Sequence, residues 1–270
     1  MRRFRNILVV VEDESRHETA VACALRLAQE TRARLTFLDV SGGPPGAIER
    51  LLAALPAGMG ARIEAESRAD MLARVEALAA AARETGGEVA AAGAAGPAYV
   101  AIIRRVLRDG HDLVLKGQHT GASRLAGGYR GPDLHLIRKC PCPVWIVREE
   151  TGPGVRRILA CVDPDHDDAD ETRAALNRTV LELAQSLAER DGASVDLLGV
   201  WSVVGESFLR SGRPQIASDE VDAIVELERR KSLARLQAMS EAVPAESVTC
   251  KLFHFKGVPG DVFPEFASPG

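Results

Sequence analysis

The sequence predicts an α/β protein built from two parallel-sheet units, the second an incomplete copy of the first. The segment Asn6-Ile7-Leu8-Val9-Val10-Val11-Glu12-Asp13 recurs about 150 residues later as Arg157-Ile158-Leu159-Ala160-Cys161-Val162-Asp163. Each is an apolar, β-branched run that ends in an acidic residue and precedes a long helical pattern. A strand without polar alternation is expected where both faces of the sheet are covered, as in parallel α/β sheets. Recurrence of the whole pattern reads as a domain duplication.

The elements follow in order. Residues 6–12 read as the first strand. Residues 15–31 form a helix with apolar positions at Ala20, Val21, Ala24, Leu25, Leu27 and Ala28. Leu35–Val40 is the second strand. Ser41-Gly42-Gly43-Pro44-Pro45-Gly46 breaks the chain before a short helix at Ile48–Leu55. Residues 67–85 are alanine-rich and helical. Glu88–Ala92 is a strand weakened by alanine's low β-propensity. Pro97 opens a helix that runs to Arg108. His111–Lys116 is the fourth strand, Gly117–Gly131 a glycine-rich segment, Asp133–Lys139 a short helix and Cys142–Val147 the last strand. Residues 1–148 therefore form a first domain and 149–155 a linker. Residues 156–270 form a second domain, with strands at 157–162, 194–201 and 247–254. Its helices fall at 169–190, 217–242 and 261–267.

An alternating β–α order gives a doubly wound, flavodoxin-like parallel sheet by the right-handed crossover rule. The second copy has nothing that matches residues 111–147, so the expected neighbour of its first strand is missing. An apolar edge left bare in this way invites self-association.

Bulk properties exclude several classes. A 270-residue chain accommodates two ordinary cores. With 46% hydrophobic and 27% charged residues and a net charge of −4, it has neither the basic surface of a nucleic-acid binder nor a membrane-surface signature. No apolar run reaches the eighteen residues of a membrane span, and the basic start is followed by too short an apolar core for a signal peptide. Five cysteines at 23, 140, 142, 161 and 250 read as reduced thiols rather than a disulfide framework. A cytoplasmic protein is expected.

Several strings then resemble the universal stress proteins, nearest to the tandem universal stress protein E subfamily. Asp13-Glu14-Ser15 is similar to that family's Asp-x-Ser, and His111–Lys116 to its fourth strand. Asp133-Leu134-His135-Leu136-Ile137-Arg138-Lys139-Cys140-Pro141-Cys142-Pro143-Val144-Trp145 is similar to the subfamily's first-domain ending, and Phe255–Pro259 to the entry of a second-domain helix. The resemblance implies a cytoplasmic stress-resistance protein, often dimeric or tandem, that in some members binds ATP. The family's ATP signature, Gly-x2-Gly-x9-Gly-Ser/Thr, supplies backbone N–H groups and a hydroxyl to a triphosphate. In the subfamily this loop sits in the second domain, within the portion that has no counterpart here.

The first-domain loop departs from that signature. Gly117 and Gly121 are separated by three residues instead of two, Gly121 and Gly131 by the expected nine, and Pro132 replaces the hydroxyl. On this reading the ATP-binding candidates are Asp13, Ser15, Val40, Gly117, Gly121 and Gly131, with Asp13 and Ser15 on the rim at the carboxyl ends of the strands. Lys116 reads as a solvated strand-end lysine and Asp163 as a strand-end residue. Ser41-Gly42-Gly43 has the composition of an ATP-pyrophosphatase loop but follows the wrong strand and is read as a turn. His135, Cys140 and Cys142, near His111 and His119, are zinc-ligand types, but Cys-x-Cys is not the usual zinc spacing and packing is the default. Trp145 reads as core or interface. His17, His166 and His254 lack convergent partners, and no nucleophile–base arrangement is visible. The leading expectation is a non-catalytic stress protein that acts by binding and assembly. The alternatives are an ATP-binding switch or weak ATPase and, by fold analogy, an adenine-hydrolase-like enzyme.

Overall fold

The computed structural model describes residues 4–12, 17–42, 58–84, 86–118, 132–148, 154–165, 170–211, 216–241 and 248–267. The chain divides into two compact units, Met1–Pro153 and Gly154–Gly270. In the first unit the order is β1 (Asn6–Val11), α1 (His17–Thr31), β2 (Arg34–Gly42), α2 (Met59–Arg83), β3 (Val89–Ala95), α3 (Ala98–Asp109), β4 (Leu113–Gly117), α4 (Pro132–Lys139) and β5 (Val144–Val147). The second unit contains β6 (Arg157–Val162), α5 (Glu171–Asp191), β7 (Ser194–Trp201), α6 (Glu206–Leu209), α7 (Ser218–Glu241), β8 (Cys250–Lys256) and α8 (Pro259–Ala267).

The first sheet has the order β3-β2-β1-β4-β5, parallel throughout. This is the doubly wound arrangement expected from the element order. β1 lies at the centre, and its residues Ile7 to Val11 are buried on both faces, which explains why the run shows no alternation. Leu8 and Val10 pack with Ile102 and Val106 of α3 and Leu136 of α4. On other layers of the core, α1 buries Ala20, Ala24 and Leu27, and α2 buries Met71, Val75, Ala79 and Ala82. The second sheet has the order β6-β7-β8, also parallel, repeating the sequence order of the first three strands of the first.

Boundaries follow local chemistry. Pro97 precedes α3, and Gly110, at φ 67°, ends it in the left-handed region that glycine adopts without strain. The Asp170 side chain caps α5 by accepting from the Arg173 N–H at 3.0 Å, and Gly192 at φ 66° closes that helix.

Some elements differ from expectation. α2 begins at Met59 rather than at 67, because its first turns are exposed and carry no apolar stripe to mark them. β3 extends to Ala95, held by pairing with β2 out to Gly42 rather than by alanine's own propensity. β4 starts at Leu113, since Asp112 instead accepts from the backbone N–H groups of Arg5 and Asn6 at 2.7 and 3.0 Å. β8 runs from Cys250 to Lys256, in register with β7 as far as Trp201. The segment after β7, where no element is expected, contains the single-turn helix α6. The expected helix at Ile48–Leu55 lies outside the described residues.

Candidate functional site

In a doubly wound sheet, ligands bind at the carboxyl ends of the strands where the strand order reverses. Here that point lies between β1 and β4. Three charged residues converge on it from different elements. Glu12 follows β1, Lys116 is the penultimate residue of β4, and Asp133 sits in the first turn of α4.

Lys116 is 1% exposed, so the expectation of a solvated lysine is corrected. Its Nζ lies 2.7 Å from Glu12 Oε2 and 2.9 Å from Asp133 Oδ1, and it donates to the Gly117 carbonyl at 3.2 Å. The Gly117 carbonyl takes a hydrogen bond from this ammonium, and the two carboxylates lie at ion-pair range of it. Burying one cation costs several kcal/mol of lost hydration, which two buried carboxylates at this range offset. Strand periodicity explains how the sequence disguises this. Lys116 stands among buried apolar residues because β4 is covered on both faces, and the charge survives there only through partners distant in sequence.

A second buried charge lies on the other side of β1. Asp39, on β2 in register with Val11, is fully buried, and Arg74 of α2 donates to its Oδ2 at 2.9 Å.

Of the expected ATP-binding residues, Gly117 is placed at the buried end of β4, where its carbonyl serves Lys116. Val40 is buried in the core with Leu8, Leu38 and Val114, so its side chain fills the sheet face. Asp13, Ser15, Gly121 and Gly131 lie outside the described residues. Gly117 thus lies at the carboxyl end of β4, and the Val40 side chain lies in the core.

The corresponding point in the second unit is built differently. Asp163 is more than a bare strand-end residue. Its backbone N–H donates to Asn177 Oδ1 at 3.0 Å, and Asn177 Nδ2 donates back to the Asp163 carbonyl at 2.7 Å. The Asp163 carboxylate accepts from the Asp165 N–H at 3.0 Å and pairs with Arg173 at 3.1 Å. The buried Asn177 side chain thereby ties α5 to the end of β6.

His254 also has partners that sequence reasoning missed. Its Nε2 is 3.0 Å from Ser232 Oγ on α7, and its ring stacks on Trp201 with centroids 5.7 Å apart. Lys256 lies over the same indole and pairs with Glu206 of α6 at 2.7 Å. Burial lowers the His254 pKa, with Arg229 acting the same way and Asp165 opposing it. Two strands and two helices meet here, so no single stretch of sequence carried the signal.

In the first unit, His135 stacks on Tyr99 at 5.0 Å, with Lys139 over the same phenol ring. Among the described residues no group of three or more His, Cys, Asp or Glu side chains is arranged to hold a metal ion.

Comparison with known proteins agrees with this geometry. Residues 3–148 match the universal stress protein family. Universal stress protein E of Escherichia coli is 29% identical over 174 residues, covering 63% of this chain and 51% of that protein. Universal stress protein E of Photorhabdus laumondii is 32% identical over 92 residues, covering 34% and 29%. The chain spans about half the length of the curated relatives it matches. Among solved structures, a protein of unknown function from Pseudomonas aeruginosa superposes with a TM-score of 0.65 at 20% identity, over 98% of this chain and 78% of that one. A universal stress protein from Archaeoglobus fulgidus gives 0.55 at 15% identity, over 95% and 80%. With a central parallel sheet of order β3-β2-β1-β4-β5 and a family match across the whole of that unit, the chain belongs to the universal stress protein family.

Proposed function

We propose that the protein is a cytoplasmic, tandem universal stress protein whose role in stress resistance is binding and assembly rather than catalysis. The observation that carries this reading is the closed charge cluster of Lys116, Glu12 and Asp133. A phosphate-binding crevice uses a cation or open N–H groups aimed at solvent, whereas this lysine is spent on protein oxygens. Pro132, where the family's signature has a hydroxyl, supports the same reading. The second unit is read as a second domain of the same family, on the strength of its β6-β7-β8 order. Assembly is supported by the position of β6 at a sheet edge, and the reducing compartment by five free thiols.

The alternative, an ATP-binding switch or weak ATPase, is favoured by one feature, the nine-residue spacing between Gly121 and Gly131. Calorimetric titration of the whole chain with Mg-ATP separates the two. No saturable heat at micromolar nucleotide is expected. Saturable micromolar binding that disappears in an Asp13→Ala variant would replace the leading reading with the switch.

A further inference from the structure

Away from the strand-end crevice, the junction between α4 and β5 holds two thiols together. Cys140 follows α4 directly, and its backbone N–H donates to the Leu136 carbonyl at 2.9 Å, closing the last turn. Pro141 and Pro143 flank Cys142 and fix φ on both sides of it. The Pro143 carbonyl accepts from Val114 N–H at 3.0 Å, anchoring the far end of the turn to β4. Tied at both ends, the turn places Cys140 Sγ and Cys142 Sγ 3.6 Å apart. Both side chains pack against the core around Ile102, Leu136 and Val144, and both remain partly accessible to solvent.

The two sulfurs are not equivalent. The S–H of Cys142 stabilises a thiolate at Cys140 and lowers its pKa to about 7, with burial working against it. Cys142 is shifted upwards by the same bond and by burial, with Asp112 adding to the shift. Burial alone pushes Cys161, elsewhere in the chain, up to about 11.

We propose that Cys140 and Cys142 are a redox-active dithiol that closes reversibly to an intramolecular disulfide on reaction with a peroxide. The Cys140 thiolate attacks one peroxide oxygen and the O–O bond breaks, giving a sulfenic acid and hydroxide. The Cys142 sulfur then attacks the Cys140 sulfur, the S–S bond forms and the sulfenic oxygen departs as hydroxide. The two thiol protons convert both hydroxides to water. Two electrons pass from the thiols to hydrogen peroxide, and the products are one disulfide and two waters. The short Cys-x-Cys ring strains the bond, so an external dithiol reduces it readily.

Treating the full chain with hydrogen peroxide, alkylating and digesting with trypsin tests this, since cleavage leaves both thiols in the single peptide Cys140–Arg148. That peptide is expected to lose two hydrogens and resist alkylation until dithiothreitol is added, while Cys161 stays alkylatable. Before oxidation at neutral pH, Cys140 should react with iodoacetamide about tenfold or more faster than Cys161. In a Cys142→Ser variant the Cys140 sulfenic acid should persist long enough to be trapped by dimedone. Equal alkylation rates at Cys140 and Cys161, or a treated peptide that is unoxidised, would overturn the proposal. So would a peroxide-induced disulfide from Cys140 to Cys23 or Cys250, or between two chains.

Discussion

Lys116 shows how a single side chain can be misplaced by its neighbours. A lysine at the end of an apolar strand reads as solvated, because burial of an unpaired ammonium is prohibitive. The structure reverses that by bringing Glu12, just after the neighbouring strand β1, and Asp133 from α4 within 2.7 and 2.9 Å. Removing the cation alone leaves two buried carboxylates facing each other. A Lys116→Met variant should therefore lose about 3–5 kcal/mol of stability, read from urea unfolding. Combining it with Glu12→Gln and Asp133→Asn should recover a large part of that loss, since the uncompensated charge is gone. A loss under about 1 kcal/mol for Lys116→Met alone would show that the cluster is not held as described. The same logic explains Asn177, whose side chain completes the turn after β6 through two hydrogen bonds that only a packed α5 can deliver.

Among the elements, the contrast between β1 and β6 matters most. They carry similar apolar runs, but β1 pairs with both β2 and β4, whereas β6 lies at the edge of its sheet and pairs with β7. In a parallel edge strand the outward N–H and C=O groups are unpaired and exchange with water or join another chain. Amides of Ile158–Val162 are therefore expected to exchange hydrogen much faster than those of Ile7–Val11. Raising the protein concentration should slow them if the edge mediates self-association. Equal, strong protection of both strands in a sample shown by sedimentation to be monomeric would sink this account. α2 teaches a complementary lesson. Its amino-terminal turns form without an apolar face, carried by residues of high helix propensity and by continuity with the packed part around Val75 and Ala79.

Across the whole first unit, pH dependence has a specific expected origin. Burial holds the His111 imidazole below its ordinary pKa of 6.5, with Asp109 and the Asn6 backbone opposing and Arg105 reinforcing the shift. Below that value the unfolded chain binds more protons at this position than the folded one, so stability falls as the pH falls from about 6.5 towards the lowered value. Above pH 6.5 the contribution is fully present. The slope from one such proton is limited to about 1.4 kcal/mol per pH unit. The carboxylates held low, such as Asp109 beside Arg108, weaken the fold only at more acidic pH. Chemical unfolding of the first unit at pH 7.5 and 5.5 should show a smaller decline in a His111→Leu variant than in the parent. Identical declines would exclude His111 as the source.

The sequence by itself determined the doubly wound order, the repeated strand–helix start and most helix limits. These rest on local causes: two-sided burial of β1 removes alternation, and Pro97 with Gly110 bounds α3 whatever surrounds it. The string from Asp133 to Trp145 was also enough to point to the family later matched across residues 3–148. The site was legible only as a location. Gly117 could be placed at the strand end, but that Lys116 is buried, that Asp133 reaches back to it and that Val40 packs into the core depended on tertiary contacts. The pairing of Ser232 with His254, and the approach of the two sulfurs within the Cys140–Cys142 turn, were decided in the same way. Hydrophobic period and turn chemistry are written in neighbouring residues, whereas the fate of a polar side chain is set by partners that only the folded chain brings within hydrogen-bonding distance.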